Sequence, residues 1–201
     1  RLFPKVIRDL LDVQYPDGSI TCTAPFVMGA RPADPVCSSF LIAGLEALLH
    51  TGNIGIIREA YDGFRAWEDC LLAHSENFIV NYSYYGDWAA PAYACEGEDG
   101  AISSVTPGIL MSTGYSYYNC VLLRKFAELL GKDGDSLRYA ELADQIREAF
   151  LQKWFDPESG RVASGSQACQ VFSLWLGLVP EPHVAKAVDV LVRDLAANQY
   201  R

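Results

Sequence analysis

Three features of the sequence predict an all-α fold made of repeated αα-hairpins. Apolar residues recur at helical spacing along most of the chain, the helical segments are joined alternately by tight turns and longer loops, and no segment sustains the period-2 alternation of a strand. About seven helices follow from the boundaries that Pro, Gly and small polar residues set.

Pro4 suits the first turn of a helix running through Ile7, Leu10 and Leu11, and Tyr15-Pro16-Asp17-Gly18 breaks it. After a loop rich in Pro and Gly, Ser38 can cap a second helix carrying Leu41, Gly44, Leu45 and Leu48, closed by Thr51-Gly52-Asn53. A third helix over 54–75 turns Ile57, Tyr61, Phe64 and Leu71 inward, and a short extended piece over 77–81 leads into a long loop. Thr106-Pro107 opens a long helix that buries Tyr115, Tyr118, Leu122, Phe126 and Leu129 and ends at Gly131, with Tyr117 also packed toward the core. Ser136 starts the clearest amphipathic helix, whose inward residues are Tyr139, Leu142, Ala143, Ile146 and Phe150. Asp156-Pro157-Glu158-Ser159-Gly160 stops it, and helices over 167–178 and 182–197 follow, separated by Pro180-Glu181-Pro182. The run from Leu10 to Gly18 echoes the run from Phe150 to Gly160: each is a helix end, an Asp-containing turn and a Gly before the next helix. Repetition of this kind fits an open solenoid and a closed ring of hairpins equally.

With 50% hydrophobic and 20% charged residues among 201, the chain can bury a sizeable core and is not disordered. Its 25 acidic against 16 basic residues give a net charge of -9, which argues against nucleic acid or an anionic membrane as partner, because the basic face that neutralises phosphates is missing. No run approaches the ~20 apolar residues of a membrane span. The six cysteines, Cys22, Cys37, Cys70, Cys95, Cys120 and Cys169, lie far apart without a CxxC pair, so they read as buried thiols. That weakly favours a cytoplasmic, reducing location, with the periplasm as the alternative. His50, His74 and His183 fall near helix ends without metal-ligand spacing, so neither a metal nor another cofactor is expected.

The candidate site is the loop Tyr84-Tyr85-Gly86-Asp87-Trp88-Ala89-Ala90-Pro91. An indole beside a carboxylate in a loop can hold a sugar ring, the flat apolar face stacking on C–H groups while the acid accepts from hydroxyls. The competing reading tucks Trp88 against the core with Asp87 capping a turn, and the local sequence alone favours it. Tyr84, Tyr85 and Tyr93 can extend an aromatic platform. The acidic stretch Glu96-Gly97-Glu98-Asp99-Gly100 offers carboxylates but no apolar wall to desolvate them, and reads as a solvated turn.

Several of these segments together resemble the catalytic (α/α)6 domain of bacterial α-L-rhamnosidases of glycoside hydrolase family 78. They are Gly86-Asp87-Trp88; Leu130-Gly131-Lys132-Asp133-Gly134-Asp135-Ser136-Leu137-Arg138-Tyr139; Leu142-Ala143 with Ile146-Arg147-Glu148-Ala149-Phe150; Ser166-Gln167-Ala168; and Leu176-Gly177-Leu178-Val179-Pro180-Glu181. The resemblance covers Tyr15 to Tyr200. It implies that 1–201 is a single all-α domain, an internal part of a larger glycosidase domain, with hairpins that form part of an (α/α)6 toroid. Both ends agree with this, since Arg1-Leu2-Phe3-Pro4 carries neither an initiator Met nor a signal peptide, and the chain stops after a helical segment without a cap.

The activity implied is release of terminal rhamnose from a glycoside with inversion of configuration. The family's general acid and general base lie upstream and downstream of segments like these, so no residue here is assigned a catalytic role, and the segment alone is expected to be inactive. The implied substrate-binding residues are Trp88, at a position that lines the rhamnose pocket, with Asp87 orienting the loop and Tyr85 beside them. Where many members have a Trp-containing WGDA-like segment, this chain has Asp34-Pro35-Val36-Cys37-Ser38-Ser39, which removes one aromatic from the expected pocket. By its residues alone that stretch is a Pro-restricted loop with a Ser N-cap. Another (α/α)6 carbohydrate-active enzyme and a non-enzymatic α-solenoid binding module are the alternatives. A homodimer is expected through apolar flanks on the first helix, with Val6, Ile7, Leu10 and Leu11, and on the last, with Val184, Val188, Val190, Leu191 and Leu195.

Overall fold

The computed structural model describes residues 2–27, 33–35, 39–91, 94–95 and 102–198. Among the described residues seven α-helices carry the fold: α1 (Leu2–Asp12), α2 (Ser39–Thr51), α3 (Gly55–Ala73), α4 (Gly108–Leu130), α5 (Asp133–Trp154), α6 (Gln167–Trp175) and α7 (Val184–Ala197). Among the described residues the only strands are two antiparallel two-residue pairs: β1 (Ser75–Glu76) with β2 (Ile79–Val80), and β3 (Phe155–Asp156) with β4 (Arg161–Val162).

Consecutive helices pack as hairpins, α1 on α2, α3 on α4, α4 on α5 and α6 on α7, and α4 touches both α2 and α6. The helices therefore form two layers, with α2, α4 and α6 in one and α1, α3, α5 and α7 in the other. Phe40, Ile57, Tyr61, Phe64, Trp67, Leu122, Phe126 and Tyr139 fill the larger core between α2, α3, α4 and α5. A second core gathers Leu110, Phe150, Val162, Cys169, Phe172 and Leu178 around α6.

The inward residues named for α3 are all buried, as are Ile7 and Leu10 of α1 and Tyr139, Ala143, Ile146 and Phe150 of α5. The corrections are local. The 77–81 piece is extended at Ile79–Val80 but begins as a turn, with Asn77 and Phe78 at positive φ closing a tight hairpin that pairs Ser75 with Val80 and Glu76 with Ile79. On α4, Leu129 is 49% exposed and Tyr115 and Tyr118 are half-buried; small and polar Ser112, Thr113, Ser116 and Asn119 occupy the buried positions instead. Helix α5 begins at Asp133 rather than Ser136, its first turn carrying Asp133 and Asp135 where the helix dipole favours acids. Helix α6 ends at Trp175, short of the expected 178, because Gly177 turns to φ 69°. Ser38 and Cys37 lie outside the described residues. Of the described cysteines, all free, Cys70, Cys120 and Cys169 are buried, while Cys22 and Cys95 are partly so. His74 caps the C-terminus of α3, its Nδ1 lying 2.8 Å from Cys70 O, whereas His183 occupies the N-cap position of α7 without a side-chain capping bond.

The echo between the two helix-turn runs has a physical basis. Gly18 has φ 84° and lies where a Cβ would stand 2.0 Å from the Ala66 carbonyl oxygen on α3. Gly160 has φ 78°, and its Cβ would stand 2.8 Å from the Ala187 nitrogen on α7. Each turn thus presses backbone against the next helix of the same layer, a contact only glycine permits.

One buried charge-bearing group interrupts the larger core. Glu68 on α3 is fully buried and accepts from Ser116 Oγ at 2.5 Å and Asn119 Nδ2 at 3.0 Å, with the Cys120 thiol 3.6 Å away, all on α4. Burial, only partly offset by these donors, pushes its carboxyl up to about 8.

Candidate functional site

The three long connections, α1 to α2, α3 to α4 and α5 to α6, meet at one end of the two layers. Asp34 of the first connection binds the backbone of 84–86 in the second, and Thr106 Oγ1 of the second lies 3.1 Å from Ser166 Oγ of the third. The candidate loop sits at this junction.

Asp34 is completely buried, and one carboxylate oxygen, Oδ2, accepts from four donors. They are the backbone N–H of Tyr84, that of Tyr85 at 2.7 Å, that of Gly86 at 3.3 Å and the Ser83 hydroxyl at 3.3 Å. Converging amides around a single anion form a nest that fixes the backbone which supplies them. Gly86 follows at φ 55°, so close to α4 that a Cβ there would stand 2.8 Å from Gly108 Cα. The Ser103 N–H then donates to Asp87 O at 3.0 Å, and Trp88 forms an isolated bridge with Ile102.

On this scaffold Tyr85 and Trp88 stack face to face, with ring centroids 4.4 Å apart and planes 6° from parallel. Tyr84 meets Tyr85 edge-on at 4.6 Å. Trp88 is 54% exposed and Tyr84 56% exposed, so the indole is not tucked against the core as the local reading of the loop favoured. An exposed indole supported on its other side by a phenol is a flat, rigid, amphipathic face.

Asp87 does not stand over that face. It lines a cavity of about 440 Å³ with Pro91, Val105, Thr106, Ser164 and Gln167 and, from the end of α7, Asp194 and Asn198, whereas Trp88 and Tyr85 are not part of the lining. Asp87 lies in the bend between Gly86 at φ 55° and the Trp88–Ile102 bridge, and the acid and the indole diverge there. Gln167 Nε2 is buried without a partner, and no described group hydrogen-bonds the Asp87 carboxylate. Acceptor and donor groups around a partly apolar floor suit a polyhydroxylated ligand.

The structure thus brings Tyr84, Tyr85 and Trp88 together, sets Asp87 on an adjoining cavity, and adds Asp34, Thr106 and Gln167. Tyr93 and the acidic stretch 96–100 lie outside the described residues. Asp34 was legible as a loop residue before Pro35, but nothing in its neighbourhood signalled a carboxylate serving amides about fifty positions on.

Comparison with known proteins gives the context. The model of the bacterial alpha-L-rhamnosidase 6 hairpin glycosidase domain matches residues 1–201. An alpha-L-rhamnosidase of Streptomyces avermitilis is 28% identical over 201 residues, covering 100% of this chain and 18% of that protein. One of Formosa agariphila is 25% identical over 194 residues, covering 94% of this chain and 20% of that protein. The chain therefore spans about a fifth of the length of the curated relatives it matches. Among solved structures, the alpha-L-rhamnosidase from Dictyoglumus thermophilum superposes with a TM-score of 0.89 at 29% identity, over 98% of this chain and 22% of that one. The Streptomyces avermitilis enzyme complexed with L-rhamnose superposes at 0.79 with 28% identity, over 96% of this chain and 18% of that one. By the match of that model to all of 1–201, the chain belongs to the bacterial alpha-L-rhamnosidase 6 hairpin glycosidase domain family.

Proposed function

We propose that the protein carrying this chain is an α-L-rhamnosidase that releases terminal rhamnose with inversion, and that residues 1–201 are an internal part of its catalytic domain that builds sugar-binding wall. The observation that carries this reading is the exposed Tyr85–Trp88 stack, set on a buried anchor beside a polar cavity, in a chain of this family. The C–H face of a deoxy sugar stacks on the indole, while Asp87 and Gln167 take hydroxyls from the adjoining cavity. The similarity of this chain to a rhamnosidase complexed with L-rhamnose supports that choice of sugar.

The general acid and general base are proposed to lie outside 1–201, standing roughly 6.5 to 9.5 Å apart across the scissile bond as inversion requires. The test is hydrolysis of an aryl α-L-rhamnoside by the full-length protein, with the anomer first released followed by NMR. Release of β-L-rhamnose is expected; turnover with retention, or turnover of other glycosides only, contradicts the proposal.

A further inference from the structure

We propose that Asp34 is the positioning residue of the aromatic platform, holding Tyr85 and Trp88 in the stacked geometry that receives the sugar. The role of the platform rests on the functional reading above; the role of Asp34 rests on the structure of the loop.

Asp34 is itself held by the core. The adjacent Ala33 is fully buried and donates its N–H to the carbonyl of buried Ile20 at 2.8 Å. From that fixed point Oδ2 gathers Ser83 Oγ and the consecutive amides of Tyr84, Tyr85 and Gly86. Consecutive N–H groups converge on one point only when the backbone is sharply curved, so the carboxylate selects a curved conformation of the segment. Curvature there places Tyr85 directly before Gly86, whose φ of 55° reverses the chain so that Trp88 returns over the Tyr85 ring. The Trp88 N–H donates to Gly86 O at 3.1 Å within that reversal. Without the anion, four donors at the base of the loop lose their common acceptor, and the curved backbone that carries the Tyr85 ring loses its anchor.

The experiment uses the full-length protein and the variants Asp34→Ala, Asp34→Asn and Trp88→Ala, comparing near-ultraviolet circular dichroism, melting temperature and KM for an aryl α-L-rhamnoside. The stacked Tyr85–Trp88 pair contributes a dichroic band that Trp88→Ala removes. Asp34→Ala is expected to remove the same band and to raise KM about tenfold, as loss of one well-placed contact does. Adding it to Trp88→Ala is expected to raise KM no further, since both changes remove one platform. Asp34→Asn keeps an acceptor oxygen but not the charge, so its band and KM are expected to lie between those of the wild type and Asp34→Ala. A folded Asp34→Ala that keeps the full band overturns the inference, as does a double variant whose losses simply add. If Asp34→Ala does not fold, Asp34→Asn decides, and an unchanged band with unchanged KM overturns it. Loss of the band in both Asp34→Ala and Trp88→Ala with KM unchanged in both upholds Asp34 as the anchor and removes the platform from the proposed function.

Discussion

Glu68 shows how much a single side chain can set. Its position continues the buried stripe of Ile57, Tyr61, Phe64 and Leu71 at helical spacing, so the sequence places a carboxyl in the core. Its partners Ser116, Asn119 and Cys120 on α4 are not legible, because nothing local links residues about fifty positions apart. The folded state holds the carboxyl up to about 8 against a usual 4.5, so folding favours the protonated form. The stability this gives is fully present below about 4.5 and is lost as pH rises through about 8, at ~1.4 kcal/mol per unit between them at most. Glu68→Gln, neutral at every pH and able to keep the same donors, is expected to flatten that decline when denaturant unfolding is compared at pH 5 and pH 8.5. An equal decline in wild type and variant assigns the pH dependence to other groups. Trp88 is a different case: the local sequence favoured an indole tucked against the core, and its exposure and Tyr85 support go with a backbone reversal at Gly86 that no local pattern reveals.

At the scale of elements, boundaries were readable wherever glycine or proline punctuates an amphipathic stripe, as at Gly131, which caps α4 at φ 68°. They failed where a two-residue turn with positive φ at Asn77 and Phe78 closes the β1–β2 hairpin without a glycine to announce it, or where polar residues pack, as along α4. The β3–β4 hairpin is held by one amide that no local pattern announces. Gln170 Oε1 accepts from the Val162 N–H at 2.6 Å, and its Nε2 donates to Gly160 O at 3.2 Å and Ala187 O at 3.0 Å. The side chain is fully buried and joins hairpin, α6 and α7. Gln170→Leu keeps the bulk but strands those groups, and a loss of about 3 kcal/mol is expected in chemical denaturation. Gly160→Ala attacks the same junction from the backbone, forcing a Cβ into Lys186 and Ala187 at a left-handed φ. A loss below about 0.5 kcal/mol in both variants would mean that the hairpin does not hold α7.

At the scale of the whole molecule, the alternation of short turns and long connections read from the sequence is what separates the two layers and collects the site at one end. The expected apolar flanks turn out unequal. α1 buries Ile7 and Leu10, whereas α7 buries only Ala187 and leaves Val184, Val188 and Val192 exposed in a row along one face. A homodimer through α7 is proposed on this basis; sedimentation of residues 1–201 is expected to show a dimer that Val188→Asp returns to monomer, and a monomer at high concentration would contradict it.

The central claim, that the Tyr85–Trp88 face receives the sugar, is tested most directly by the KM of full-length Trp88→Ala for an aryl α-L-rhamnoside, measured with its melting temperature. The account predicts a rise of about tenfold in KM, the loss of one stacking surface, with the melting temperature nearly unchanged because the indole is more than half exposed. Unchanged kinetics with a large fall in melting temperature would contradict it and make Trp88 a residue of the fold alone.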